Sequence, residues 1–258
     1  SFYGDSFLFG RQVNDNETCQ WYLSKLTNSN VLNFSVGNYG LDQALLRLKR
    51  EYPKNKTRIV IMGIVPSTIV RIMCMWKHYN EYGNTFGFKP RFIAEGNKLK
   101  LIENIINSED KFLKYIQYLP IIKKHDYFYK NKFKKDMIRF PYFISLLSDP
   151  MRNARLIYLV LLDRWLVEEK KPQVYPPSMK VIMEINLRLR INLFSKNMGS
   201  VALLKKIAEE FVNYGAREKF TAVFVLMPQK DDLSFIRDKN NYYYKDFIDD
   251  LEEKMIVI

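Results

Sequence analysis

The chain has 258 residues, 47% hydrophobic and 27% charged, and this composition predicts a folded globular protein with a sizeable core rather than a disordered chain. Lys and Arg outnumber Asp and Glu by 41 to 28, and the net charge of +13 favours anionic partners. Two cysteines, Cys19 and Cys74, exclude a disulfide framework and a cysteine zinc site, although the count allows one bridge between them. The sequence has neither a signal peptide nor an apolar stretch of membrane-spanning length, and it predicts no compartment.

The first 65 residues predict the start of an alternating α/β fold. A short strand ends at Tyr3, a second strand covers residues 31–36, and a third covers residues 58–65. Between the last two, apolar residues at positions 41, 44, 45 and 48 have the spacing of an amphipathic helix.

The same alternation resumes towards the C-terminus. Ser200 is predicted to cap a helix that ends at Gly215, and a strand follows over residues 220–227. A further helix over residues 244–254 leads into a terminal strand at residues 255–258. Because the strands are apolar throughout and alternate with helices, we expect a parallel sheet covered on both faces.

Residues 70–199 interrupt this alternation and are rich in aromatic and basic side chains. Residues 89–139 alone contain 13 Lys and Arg against 6 Asp and Glu. We predict that residues 1–258 form a single domain with a basic, mostly helical insertion at about 70–199. The insertion could bind a polyanion or an anionic surface, because tyrosines interleaved with lysines combine stacking with phosphate contacts. A solvated basic face over packed tyrosines is the simpler interpretation, and no known nucleic-acid motif is present, so nucleic acid is not expected as a partner.

Three loops of small residues follow the first three predicted strands: Gly4-Asp5-Ser6, residues 37–40 and residues 66–68. In a parallel α/β sheet, binding and catalysis gather at the carboxyl ends of the strands. A serine that attacks an ester needs a base to take its proton and N–H donors to hold the oxyanion. The loops therefore predict a site around Ser6, whereas the alternative is a turn serine that only caps the next helix.

Two of these loops carry a family resemblance. Gly4-Asp5-Ser6-Phe7 with Gly10, followed by NFSVGNYGLDQ at residues 33–43, resembles the first two signature blocks of the SGNH (GDSL-type) hydrolases. The Tyr-Gly-x-Asp-Gln ending resembles a bacterial branch of that superfamily, and the match covers about the first 70 residues. The resemblance implies a three-layer α/β/α fold of the SGNH/flavodoxin-like type with a central parallel sheet. It also implies Ser6 as nucleophile and oxyanion donor, Gly37 and Asn38 as the oxyanion loop, and neither cofactor nor metal.

The sequence departs from the family pattern at three places. Asn38 stands where the family has a glycine, and Ser67 and Thr68 occupy the third block, where the family has an asparagine. Losing such an oxyanion donor costs about 3–4 kcal/mol of transition-state stabilisation if nothing replaces it. The family's Asp-x-x-His pair, which supplies the base, would follow Ile258. We therefore expect a fragment truncated at both ends, with the base after Ile258.

These patterns predict a serine esterase or O-acyltransferase that acts through an acyl-enzyme on an O-acyl ester of a small molecule, a carbohydrate or a lipid. The alternative is a catalytically incomplete SGNH-like module that binds an anionic glycan, a membrane surface or nucleic acid. A third hypothesis places a polyanion-binding activity in the insertion itself. The sequence does not predict the acyl length or the oligomeric state.

Overall fold

The computed structural model of the chain describes residues 1–96, 98–137, 140–169, 176–195 and 199–258. These residues form an α/β fold built around a four-stranded parallel sheet of order β1-β2-β5-β6, with a separate antiparallel hairpin, β3-β4. The strands are β1 (Phe2–Gly4), β2 (Ile59–Ile64), β3 (Arg91–Glu95), β4 (Lys98–Ile102), β5 (Thr221–Leu226) and β6 (Ile256–Val257).

Many helices surround the sheet. Those before residue 137 are α1 (Ser6–Phe9), α2 (Cys19–Thr27), α3 (Leu41–Glu51), α4 (Ile69–Ile72), α5 (Glu109–Leu113), α6 (Leu119–His125) and α7 (Lys134–Asp136). Those after residue 140 are α8 (Tyr142–Leu147), α9 (Pro150–Glu168), α10 (Pro177–Leu193), α11 (Gly199–Glu218), α12 (Lys230–Lys239) and α13 (Lys245–Glu252).

The predicted strand over residues 31–36 runs along the free edge of β1. Phe2 N–H donates to the Leu32 carbonyl at 2.8 Å, Phe34 N–H to Phe2 at 2.8 Å, and Val36 N–H to Gly4 at 3.0 Å. The pairing is parallel. The chain therefore leaves β1 for one side of it and returns as β2 on the other side, which makes the β1–β2 boundary a topological switch point.

The sheet and two long helices form the core. Tyr3, Met62 and Phe224 on the strands are fully buried, as is the predicted apolar stripe of α3. The apolar face of α11 is buried in the same cluster, which includes Ile207 and Phe211. Burying one such side chain stabilises a fold by about 1.5–3 kcal/mol. The hydrophobic periodicity places these side chains on one face of each helix, and that face packs on the core.

The predicted ends of α11 are wrong. Ser200 lies within the helix, where its buried hydroxyl donates to the Leu193 carbonyl instead of capping the helix. The helix also continues through Gly215 to Glu218. A methyl group at Gly215 would lie 2.9 Å from a ring carbon of Phe220, so this glycine allows a close aromatic contact and does not end the helix.

The hairpin β3-β4 was not predicted. Its second strand alternates lysine and leucine, with Leu99 and Leu101 packed on the core and Lys98 and Lys100 more exposed. This period of two is the pattern of a half-buried strand. Residues 70–199 are therefore not purely helical, and much of their first half packs on the sheet's own core, including Trp76.

Both cysteines are free, so the bridge that the count allowed is not formed. Cys19 is exposed, whereas complete burial raises the pKa of the Cys74 thiol to about 12. In the described part of the chain, no helix combines the length and the apolar character needed to cross a membrane.

Candidate functional site at the carboxyl edge of the sheet

Ser6 directly follows β1 and is the first residue of α1. The preceding residue, Asp5, is fully buried and caps this helix: its Oδ1 accepts from Phe7 N–H at 2.9 Å. Its Oδ2 accepts from Val65 N–H at 3.0 Å, just after β2. Because both carboxylate oxygens hold backbone N–H groups, Asp5 fixes the turn that carries Ser6 and ties it to the next strand.

Glycines let α1 approach the sheet closely enough to place Ser6 there. A methyl group at Gly4 would lie 2.1 Å from the Gly63 carbonyl oxygen on the neighbouring strand. One at Gly63 would lie 2.9 Å from a methyl carbon of Leu8, the buried residue of α1. Side chains at either position would push the helix away from the strands.

The second loop lies against Ser6. A methyl group at Gly37 would be 3.9 Å from Ser6 Cβ, so the two backbones are near neighbours. Gly37 and Asn38 form the centre of a turn closed by a 3.3 Å hydrogen bond from Tyr39 N–H to the Val36 carbonyl. Asn38 adopts a φ of 67°, a left-handed conformation that asparagine tolerates better than most residues.

This arrangement leaves polar hydrogens beside the serine. In the described part of the chain, the N–H groups of Gly37 and Asn38 have no hydrogen-bond acceptor. The N–H of Ser6 is in the first turn of α1, where helices provide no acceptor of their own. The turn that carries two of these donors thus lies against Ser6, which is partly exposed.

The two third-block residues diverge in the structure. Thr68 is fully buried and its hydroxyl donates to the Val65 carbonyl at 2.8 Å, which uses its only donor. Ser67 is partly exposed and faces a cavity. Neither residue provides the amide that the third block of the family supplies.

No hydrogen bond joins the Ser6 hydroxyl to a histidine within the described residues. His78 Nδ1 accepts from Gly83 N–H at 3.1 Å, and its ring lies 4.9 Å from that of Trp76. The carbonyl oxygen of His125 accepts from the Arg91 guanidinium. Burial lowers the pKa of both imidazoles, and nearby Lys124 and Arg91 lower that of His125 further.

Two residues that sequence reasoning did not single out hold the second loop in place. Asp42, in the Tyr-Gly-x-Asp-Gln motif, is 1% exposed and forms an ion pair with Lys89. Arg71 of α4 donates to the Tyr39 carbonyl at 2.7 Å. Asp42 could have been noticed as a charge in a predicted apolar helix, whereas no local signal identifies Arg71.

A third residue that sequence reasoning did not single out, Asp126, is a buried acid with a structural role elsewhere in the fold. It accepts hydrogen bonds from the N–H groups of Met75, Trp76 and Phe128. Burial raises its pKa, and these N–H donors oppose the shift. Its carboxylate ties the segment after α4 to the segment after α6.

A cavity of about 960 Å³ opens at the same edge of the sheet. Ser67 and Arg71, which follow β2, line one side of it, and Gln229 and Asp231, which follow β5, line another. Asp231 accepts from Arg190 of α10 at 3.0 Å, so it is part of an ion pair. The helices α9 and α10 form the opposite wall.

No family profile, curated protein or solved structure matches this chain. Within the residues that the structure describes, no group of three or more His, Cys, Asp or Glu side chains is placed to hold a metal ion.

Proposed function

We propose that this chain is the acyl-transfer domain of an SGNH-type serine esterase with a three-layer α/β/α fold. Its substrate is an O-acyl ester of a carbohydrate or a lipid. The observation that carries the proposal is the proximity of the Ser6 turn to the Gly37–Asn38 turn, whose two N–H groups have no acceptor among the described residues. The Ser6 turn follows β1, one of the two strands that flank the topological switch point, where parallel α/β sheets bind their ligands.

In the proposed mechanism, Ser6 Oγ attacks the ester carbonyl carbon and its proton passes to a base. The oxyanion that forms accepts hydrogen bonds from the N–H groups of Ser6, Gly37 and Asn38. Collapse of this intermediate breaks the bond between the carbonyl carbon and the alcohol oxygen. The alcohol takes the proton from the base and leaves, and the acyl group remains on Ser6 as the acyl-enzyme. Water then attacks the acyl-enzyme by the same steps and releases the acid.

The base is proposed to be the histidine of an Asp-x-x-His pair that follows Ile258 in a longer chain. Ile258 N–H donates to the Phe224 carbonyl at 2.9 Å, and β6 runs parallel to β5. Since parallel strands have their carboxyl ends at one edge, any continuation would start at the edge where Ser6 lies. A gene that stops after the Ile258 codon would contradict this part of the proposal.

One observation favours the second candidate, a binding or scaffolding module that has the fold without the chemistry. The hydroxyl of Thr68 already donates to a backbone carbonyl. Neither Ser67 nor Thr68 has an amide side chain that could donate to an oxyanion. Such a module would keep the binding surface at the carboxyl edge of the sheet and would not hydrolyse esters.

Hydrolysis of short-chain p-nitrophenyl esters by the complete gene product separates the two candidates. We expect Ser6→Ala to lower kcat/KM by at least about a thousand-fold, because it removes the nucleophile. Ser29→Ala is the matched control, since Ser29 is exposed and its hydroxyl donates to the Thr27 carbonyl at 3.1 Å. Equal turnover by both variants would contradict the assignment of Ser6 as the nucleophile. Absence of turnover in the unmodified protein would favour the binding module.

A further inference from the structure

The 960 Å³ cavity has an apolar wall. Seven aliphatic or thioether side chains of α9 and α10 line it: Leu156, Ile157, Val160, Ile182, Met183, Ile185 and Leu189. Its volume is within the range of cavities that enclose small-molecule ligands.

Several apolar side chains of this wall are exposed to solvent. Ile157 is 50% exposed, Val160 44% and Ile182 42%. Helix α9 has no buried residue along its 19 positions. Covering such side chains gains about 25 cal/mol for each Å² removed from water, so a ligand with a hydrocarbon chain would be stabilised here.

The polar part of the cavity carries an excess of positive charge. Its lining includes five cationic side chains and three carboxylates. Each carboxylate already has a cation: Asp136 pairs with Arg152 at 3.0 Å, Asp231 with Arg190 at 3.0 Å, and Glu81 with Lys77, outside the cavity, at 3.0 Å.

Three cavity cations therefore have no carboxylate partner within the described residues: Arg71, Lys132 and Lys135. Arg71 and Lys132 donate to the carbonyls of Tyr39 and Asn80, which are neutral acceptors. Burial lowers the pKa of Lys132, while Asp136 and Glu81 oppose the shift. These cations would attract a bound anion.

We propose that this cavity binds an acyl chain with an anionic head, the chain along α9 and α10 and the head group near Arg71, Lys132 and Lys135. A carboxylate and a phosphate share this chemistry. Identifying the bound molecule as the acyl substrate or product of Ser6 rests on the proposed function, whereas binding does not. The loop contact of Arg71 with Tyr39 links the cavity to the turn beside Ser6.

Titration calorimetry with the complete Ser6→Ala protein tests binding without turnover. The probes are dodecanoate, dodecyl phosphate and neutral dodecanol, each below its aggregation concentration. We expect saturable binding of at least one anionic probe, about tenfold tighter than that of dodecanol. Comparison of the two anionic probes distinguishes a carboxylate site from a phosphate site. Equal binding of all three, or no binding, would overturn the proposal.

Two matched pairs of variants locate the site. Ile182 lines the cavity and Met179 does not, although both are on α10 with exposures of 42% and 43%. We expect Ile182→Asp to weaken dodecanoate about tenfold or more and Met179→Asp to leave it within about twofold. Likewise, Lys135→Glu should weaken the binding of the two anionic probes and not that of dodecanol. Lys134→Glu, at a neighbouring position outside the cavity lining, should leave the binding of all three probes unchanged.

The outcomes separate this proposal from the esterase. Binding that is lost in Ile182→Asp, in a protein without ester turnover, would support the cavity and contradict the esterase. Turnover of long-chain esters with an unchanged KM in Ile182→Asp would overturn the cavity as the acyl site and leave Ser6 in place. Concentration-dependent dimerisation abolished by Ile182→Asp, without probe binding, would make a second copy the occupant and overturn the proposal.

Discussion

Asp42 illustrates what a motif can and cannot tell about single residues. It lies in the stretch of residues 33–43 that resembles a signature block, close to the residues predicted to hold the oxyanion. Its partner Lys89 is 47 positions away, in the segment predicted as an insertion, and no local pattern connects the two. Similarly, the position of Ser6 could be predicted because Gly4-Asp5-Ser6 is a local turn pattern. The inward-facing hydroxyl of Thr68 depends on backbone geometry that the sequence does not display.

The Asp42–Lys89 pair gives a direct prediction. Lys89→Met leaves a 1% exposed carboxylate without its cation, and we expect unfolding free energy to fall by about 3–5 kcal/mol. Urea denaturation at neutral pH measures this. The control is Lys100→Met, whose partner Glu95 is 54% exposed, and its cost should be at most about 1 kcal/mol. The double variant Asp42→Asn/Lys89→Met should recover part of the loss, and equal effects of the two single variants would contradict the account.

At the scale of elements, hydrophobic periodicity predicted the strands β2, β5 and β6 and the helices α3 and α13 within a few residues of their observed bounds. It failed where a contact between elements decides the outcome. Gly215 has the appearance of a helix stop, but the ring of Phe220 needs the space. The hairpin β3-β4 was hidden by the aromatic and basic composition around it, although its lysine–leucine alternation was visible.

The glycine at the end of β1 is predicted to be indispensable for the sheet. In Gly4→Ala, the new methyl group would lie 2.1 Å from the backbone oxygen of Gly63, with which Gly4 is in register. Since neither strand can move without losing its ladder, we expect a loss of at least about 3 kcal/mol in unfolding free energy. Gly199→Ala is the control, because none of the described residues places an atom within 4 Å of the added group. Thermal denaturation curves that coincide for the two variants would show that the strands adapt.

The packing of α3 on α11 gives a prediction of pH dependence. Glu210 of α11 accepts from Lys49 of α3 at 2.6 Å and from Arg217 at 2.8 Å. Burial alone would raise its pKa, but these two cations lower it below the ordinary value of 4.5. A lowered folded-state pKa stabilises the fold above the unfolded value, and this contribution is lost as the pH falls through the folded pKa.

We therefore expect Glu210→Gln to cost about 0.5–1 kcal/mol at pH 7, a modest value because the pair is partly exposed. The difference from the unmodified protein should shrink as the pH falls below the ordinary value of 4.5. Urea denaturation at a series of pH values measures it. A difference that stays constant down to pH 3 would contradict the ion-pair explanation.

At the scale of the whole molecule, the sequence predicted an α/β protein with a parallel sheet, and the structure has that sheet. The prediction of an insertion at about 70–199 stays a prediction. Trp76 and Phe128, both within this range, are buried in the common core, while α8 and α9 contain no buried residue. Composition could not separate these two behaviours, because both parts are rich in aromatic and aliphatic residues.

The distribution of charge and apolar surface follows the same division. The net charge of +13 suggested an anionic partner without a location. Around one cavity at the carboxyl edge of the sheet, the structure gathers exposed aliphatic side chains and three cations that have no carboxylate partner among the described residues. A cavity is built from residues far apart in the chain, so its existence could not be predicted from local patterns.

The central claim is that Ser6 is an activated nucleophile. The most direct measurement is intact mass and peptide mapping of the complete gene product after treatment with a fluorophosphonate, which phosphonylates only activated serines. We predict a single adduct on the peptide that contains Ser6, absent in Ser6→Ala and retained in Ser29→Ala. No adduct on the unmodified protein, or an adduct that persists in Ser6→Ala, would contradict the claim.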